Sequence, residues 1–426
     1  MIAAAEENTD AGPNGATFRS TALIVGRALH APWNEGTRVI NRNFAQAART
    51  LRPVRVVSLT QLTFKDGDGT AGRPAAALPI QHVYNRGGYG LNGVYLGLPT
   101  LLQSLKMAGD GAAQVGVAHL FGMPLSLAPW FQRQQIHVID HIMVRPLRLR
   151  DRMLVRASIG VWGRWVEAFA VSSQTLVPLL KAWGVPESKL FVLPAAVDGT
   201  TFRPGDKAAA RQELGLSGGE QLVVYIGRLS ARRFPARIVR EALQTAGLAS
   251  SRPLHFVAVT PSQTFDGSPN SASYLEQCAQ VVGEDLRKIP NVAVDVRMAN
   301  LEDREKLAWV RAADAVLLPF VAPEAVEPPI TLLEAMASGA TIIASPAANR
   351  SGLVKSGVNG FMFRSADELA NMLTQVVIGA AGGSAMGAAA RQTVLASHSF
   401  QAVATATARL WMKVELPAST SSDSFG

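Results

Sequence analysis

Two stretches of this 426-residue chain carry residue types and spacings suited to work on a phosphorylated ligand. In VVYIGRLSARRF an apolar strand ends at Gly227, and the cations Arg228 and Arg233 follow. Fixed cations beside a strand end can stabilise the charge that grows on a departing diphosphate. Taken singly, each arginine would serve equally as a solvated loop charge. The other stretch is EPPITLLEAMASGATIIAS, Glu327 to Ser345, followed by Gly357-Val358-Asn359-Gly360-Phe361. Its middle reads as a helix closed by Gly339, with a strand behind it. Pro328 and Pro329 stand before the helix, where a missing N–H does little harm. Thr331 and Leu332 would then offer N–H groups and a positive dipole end to a phosphate. Glu334, read as lying in the first turn, could accept two hydrogen bonds from ribose hydroxyls.

Such residues need strands and helices to aim them. From Ala22, ALIVG reads as a strand, and NEGTRVINRNFAQAART follows as a loop and a helix with Val39, Ile40, Phe44 and Ala47 at helical spacing. The alternation continues through VRVVSL, VGVAHLF, IHVIDHI, AFAV and KLFVLPAAV. A second set comprises QLVVYIGRL, LHFVAVT, VAVDVR, AVLLPF and TIIAS, separated by helical stretches that include EDREKLAWVRAA. Continuous apolar strands predict parallel sheets covered on both faces. The expected fold class is α/β, with two Rossmann-like doubly wound domains facing across a cleft. Residues 19–199 form the acceptor-side domain, and 200–395 the nucleotide-sugar domain. Residues 396–413 form a C-terminal helix returning to the first domain, and VDGTTFRPGDKAAARQELG is the linker. Residues 1–18 and 414–426, small and polar, read as disordered tails.

Composition narrows the field. With 48% hydrophobic and 17% charged residues the chain can bury large cores, and its single cysteine, Cys278, excludes an internal disulfide. The start MIAAAEENTDAGPNGATFRS lacks the basic and apolar segments of a secretory signal, so a cytoplasmic location is expected. Uncharged stretches at Gly87–Leu105 and Ala112–Gln132 are broken by Gly and Pro and read as loops and core elements. A formal charge of +9 and a pI near 10 point to anionic company. No nucleic-acid signature accompanies the charge, and nucleic acid is not expected as a partner.

Five segments in order, AVSSQTLVPLLKAWGVPESKLFVLPAAVDGTTFRPG, GRLSARRF, RAADAVLLPF, LLEAMASG and GVNGF, resemble glycosyltransferase family 4, retaining enzymes of the GT-B fold. The resemblance covers most of the chain. It implies transfer of a hexose-type sugar from a nucleotide-diphosphate sugar, a co-substrate, with no cofactor or metal. Arg228 matches the family arginine on the donor diphosphate, and Arg233 stands where a lysine is usual, a planar fork in place of a point charge. Glu334 matches the second of the family's paired glutamates. The first would fall at Val326; Glu327, one place late before Pro328 and Pro329, could take its role at the sugar, or that role is lost. Gly36 lies in the family's glycine-bearing loop, and Gly227 closes the donor-side strand. His119 resembles the family histidine that contacts the transferred sugar, and His141 another that closes a strand. Either could instead be structural. His137 and His141 lack the third ligand a metal needs.

The acceptor side is less defined: a glycan, a lipid-linked or a small-molecule acceptor all fit. MVRPLRLRDRMLVRASIGVWGR, residues 143–164, mixes arginines with Leu, Met and Val, which suits peripheral contact with an anionic membrane. A half-buried helix with a solvated basic face has the same composition. GRALHAPWNEG lacks the G-x-G-x-x-G loop of a dinucleotide-dependent oxidoreductase. A nucleotide-sugar epimerase or phosphorylase of the same fold, and a catalytically decayed sugar-nucleotide-binding protein, remain as alternatives.

Overall fold

Apolar runs without polar alternation build two fully parallel sheets whose central strands are buried on both faces. The computed structural model describes residues 18, 20–27, 29, 33, 35–61, 80–85, 114–146, 148–262, 269–323, 326–379 and 382–416. The first sheet contains β1 (Thr21–Arg27), β2 (Val54–Gln61), β3 (Ile80–Asn85), β4 (Val115–Phe121), β5 (His137–Ile142), β6 (Ala168–Val171) and β7 (Leu190–Val192), in the order β3-β2-β1-β4-β5-β6-β7. The second contains β8 (Gln221–Ile226), β9 (Leu254–Thr260), β10 (Val292–Met298), β11 (Ala315–Leu318), β12 (Ile342–Ala344) and β13 (Phe361–Met362), in the order β10-β9-β8-β11-β12-β13. Two of these strands escape a reading by apolar run. β3 (IQHVYN) is an edge strand with polar residues, and β13 is too short to show a period.

The helices are α1 (Gly36–Ala48), α2 (Ala128–Arg133), α3 (Leu149–Trp162), α4 (Val177–Ala182), α5 (Lys207–Glu213), α6 (Ala236–Ala249), α7 (Pro269–Leu286), α8 (Asp303–Ala312), α9 (Ile330–Ala337), α10 (Ala366–Val377), α11 (Ser384–His398) and α12 (Phe400–Glu415). α1 starts where the Glu35 carboxylate accepts from the Thr37 N–H at 2.9 Å, and it buries Val39, Ile40, Phe44 and Ala47. Among the described residues no helix is long and apolar enough to cross a membrane. Residues 1–17 and 417–426 and the stretch 87–105 lie outside the described residues. Residues 414 and 415, read from sequence as tail, complete α12: Val414 is buried and Glu415 pairs with Arg52 at 2.5 Å.

α12 lies against α1 and the first sheet, and its Trp411 is fully buried. The Trp411 indole donates to His119 Nε2 at 2.8 Å, so the His119 proton sits on Nδ1 and is donated to His141 Nε2, also at 2.8 Å. Both imidazoles are thus held neutral. Burial drives the His141 pKa down to about 3, and burial with the neighbouring His141 and Arg52 takes His119 well below the ordinary range. His398, at the end of α11, is pushed to about 4 by burial, whereas burial raises the Asp140 carboxyl to about 7.

These shifts give a pH dependence. The three histidines take up protons below about pH 6.5 only when unfolded, which costs stability as pH falls towards their folded values. Asp140 works the opposite way, holding a proton in the folded chain between about pH 4 and 7 that the unfolded chain releases. Three groups outweigh one, so stability should fall on acidification from pH 7 to 5, by about 1.4 kcal/mol per pH unit for each net proton. Urea titrations across this range should show the loss, and Asp140→Asn should steepen it. A midpoint that rises towards pH 5 would contradict the assignment.

Candidate active site

In each sheet the strand order reverses beside its first strand, β1 against β4 and β8 against β11. Loops leave in opposite directions at such a point and open a crevice at the carboxyl ends. The two crevices face each other around a cavity of about 230 Å³. Trp33, Glu35, Gly36 and Thr37 come to it from the β1–α1 connection, and Gly227, Arg228 and Arg233 from the loop after β8. Thr331 and Glu334 of α9 and Lys306 of α8 complete its polar lining.

The loop after β8 is rigidly seated. A Cβ at Gly227 would lie 2.9 Å from the Tyr225 hydroxyl, which donates at 2.6 Å to the Arg228 carbonyl. The N–H groups of Val321 and Ala322 donate to the Arg232 carbonyl at 2.9 Å, tying this loop to the one after β11. The Arg233 guanidinium lies 5.7 Å from the Phe320 ring centre. Both arginines therefore reach the cavity from a fixed backbone.

At α9 the first turn begins at Ile330 behind Pro329, and Thr331 faces the cavity. Leu332 does not serve as a phosphate ligand: its N–H donates to the Pro329 carbonyl at 3.0 Å and its side chain is fully buried. Glu334 sits one turn into the helix rather than in the first, and only 3% of it is exposed. Its Oε1 accepts from Lys306 Nζ at 2.8 Å. The same ammonium contacts Asp303 at 2.9 Å, and Asp303 receives Arg42 of α1 at 2.7 Å, a contact between the domains.

Burial raises the Glu334 carboxyl, with Lys306 opposing it. Burial works against the Lys306 charge, yet the two carboxylates outweigh it and raise its pKa. At Asp303 burial is likewise overcome, by Lys306 and Arg42, and the carboxyl is held low. From sequence alone EDREKLAWVRAA reads simply as a helix, and Lys306 does not stand out in it. Its signal is its place beside Leu307 and four residues before Val310 on the buried stripe of the helix.

Other residues expected at the site lie elsewhere. His119 is fully buried, committed to Trp411 and His141, and outside the cavity lining, since strand β4 carries it into the layer covered by α12. Of the two alternatives for Glu327, at the sugar or with that role lost, the geometry does not give the first: its carboxylate turns to the Thr175 hydroxyl and to Arg350 Nε at 3.2 Å. The Glu327 N–H donates to the Met143 carbonyl at 3.0 Å, and its carbonyl accepts from Ser172. Val326 faces the cavity in its stead, close enough to Gly36 that a Cβ there would stand 2.9 Å from Val326 Cγ2. His137 lies 3.7 Å from Glu167, and no group of three or more metal-ligating side chains occurs among the described residues.

Residues 220–378 match the family model described as glycosyl transferases group 1. That segment holds the second sheet, and the whole fold is GT-B. The chain is similar to Anabaena HepE, solved with UDP and glucose, at 18% identity and a TM-score of 0.67, covering 92% of this chain and 100% of that one. Sucrose-phosphate synthase from Thermosynechococcus elongatus superposes with a TM-score of 0.67 at 16% identity, over 93% of this chain and 99% of that one. The D-inositol 3-phosphate glycosyltransferase of Nocardia farcinica is 29% identical over 187 residues, 44% of this chain and 39% of that protein. The match thus spans well under half of the curated relative's length. All four residues at the polar end, Arg228, Arg233, Thr331 and Glu334, lie inside the segment that matches the family model.

The buried charges of this segment predict a stability effect. Lys306→Met strands Glu334 and Asp303 against an apolar group and should cost about 3–5 kcal/mol in unfolding free energy. Adding Glu334→Leu should recover much of that loss in thermal or urea melts. Equal stability of wild type and Lys306→Met would show that the lysine does not neutralise the pair.

Proposed function

We propose that this protein is a retaining glycosyltransferase that moves a hexose-type sugar from a nucleotide-diphosphate sugar to a glycan, lipid-linked or small-molecule acceptor, without a metal. The observation that carries this reading is the convergence of Arg228, Arg233, Thr331 and Glu334 on one cavity, with Gly36 and Thr37 facing them from the other domain. UDP and glucose, bound to Anabaena HepE, support a donor of this class.

In this reading the two guanidiniums neutralise the diphosphate as the bond from the sugar anomeric carbon to the phosphate oxygen breaks. The acceptor hydroxyl attacks the same face, and its proton passes to the departing phosphate oxygen, so no carboxylate nucleophile is used. Lys306 takes Oε1 of Glu334, which leaves Oε2 for the ribose hydroxyls. Approach of the domains shields the donor from water.

A location in the cytoplasm with peripheral membrane contact fits α3. Leu149, Met153, Leu154 and Val161 are exposed there among Arg148, Arg150, Arg152 and Arg156, a pattern suited to an anionic bilayer. The turn of Glu327 towards Thr175 and Arg350 favours one further reading, a donor-binding protein that has lost transfer. Such a protein would bind donor without hydrolysing it.

A thermal-shift screen across UDP-, GDP-, ADP- and TDP-linked sugars should identify one stabilising donor, and the enzyme should hydrolyse it slowly without acceptor. Arg228→Ala or Arg233→Ala should lower turnover by about 10²–10³-fold, with Arg233→Lys the mildest change. Stabilisation with no hydrolysis would select the decayed reading, and no stabilisation by any donor would refute both. Separately, the protein should co-sediment with phosphatidylserine-containing vesicles in a salt-sensitive manner that Arg150→Glu/Arg156→Glu abolishes. Binding unaffected by salt or by these changes would count against α3 as the contact.

A further inference from the structure

Val144 and Val326 form part of the cavity wall, and the next residue of each loop belongs to a charged cluster outside it. Arg145 follows β5 in the N-terminal domain, Glu327 precedes α9, and Arg350 follows β12 in the C-terminal domain. Both arginines are tied to one point. Arg350 Nε and the Thr175 hydroxyl donate to Glu327 Oε1, and Arg145 Nη2 donates to the Thr175 carbonyl at 2.8 Å. Arg152 joins from α3, its Nε 2.9 Å from the Pro146 carbonyl in the same loop.

Among the described residues the cluster is unbalanced: the charges that act on Arg145 are those of Arg350 and Arg152 and the one carboxylate of Glu327. Arg145 Nε is buried without a hydrogen-bond partner, an unspent donor in a fixed guanidinium. Burial and, next, the charge of Arg350 hold the Arg145 pKa below its ordinary value, as expected of like charges kept together with too few anions. Arg350 is about one-third exposed, so a ligand can reach it from solvent. Guanidinium forks match the oxygens of a phosphate, and two of them from opposite domains can grip it from both sides.

We propose that Arg145 and Arg350 form an anion subsite, separate from that of the donor diphosphate, which holds a phosphate ester carried by the acceptor. The words "of the acceptor" rest on the transferase reading; the anion site itself does not. Glu327 tempers the affinity by cancelling one positive charge, and an arriving phosphate would take over Arg350 from it.

Calorimetric titration of the full-length protein with inorganic phosphate, and with methyl phosphate as the smallest ester, tests the assignment. Two binding events are expected. Arg228→Gln/Arg233→Gln should remove one and leave the other. Arg350→Gln, which alters a half-buried loop residue, should weaken the second about tenfold or more, as loss of a charge-assisted hydrogen bond requires, and Arg145→Gln should do the same. Glu327→Gln should tighten it. A single event abolished by Arg228→Gln/Arg233→Gln overturns the proposal, as does a second event untouched by Arg350→Gln or closed to methyl phosphate. If both events behave as expected while no nucleotide sugar binds, the subsite stands and the transferase reading falls.

Discussion

A carboxylate as deeply buried as Glu334 can serve a ligand only if a cation is buried with it. Lys306 meets that need and is itself held by Asp303, which in turn receives Arg42 from the other domain. The pocket, the seating of α9 against α8 and one link between the two sheets thus share a single chain of charges. Glu334 and Lys306 are nearly dry and Asp303 and Arg42 partly so, and removing one leaves the others with an uncompensated desolvation cost. The alternation of signs along the chain is therefore a condition of the geometry as well as a feature of it.

The loop that carries Glu327 does comparable work with backbone groups. It presents Val326 to the cavity, sends its N–H and carbonyl to Met143 and Ser172, and turns its carboxylate to Thr175 and Arg350. Gly36 has no side chain, which lets Val326 approach the start of α1. The domains meet here through close backbone contact, whereas at Arg42 they meet through charge. A residue that sequence pattern would assign to the sugar is in this structure part of the seam between domains.

The far side of the first domain has its own closure. α12 crosses back so that Trp411 can bury its ring and still satisfy its indole N–H on His119. Arg52 lies over the same ring, 3.8 Å from its centre, and binds Glu415. The histidine is thereby fixed as a neutral acceptor in the core, outside the lining of the cavity.

The parallel architecture was legible because strands buried on both faces must be apolar throughout, and that leaves a mark in any single sequence. Gly227, Arg228, Arg233, Thr331 and Glu334 were legible because each lies within a few residues of a strand or helix end, where local pattern fixes position. Residue pairings were not. Lys306 and Glu334 are far apart in the chain, as are His119 and Trp411, and Glu327 and Arg350; nothing local says that they meet. By itself the sequence determined which segments become strands and helices and which cations stand at their ends, since these follow from period and chain neighbours. The tertiary structure alone decided that His119 is core, that Leu332 has spent its N–H and that Glu327 faces the seam, because long-range packing chooses each buried polar atom's partner.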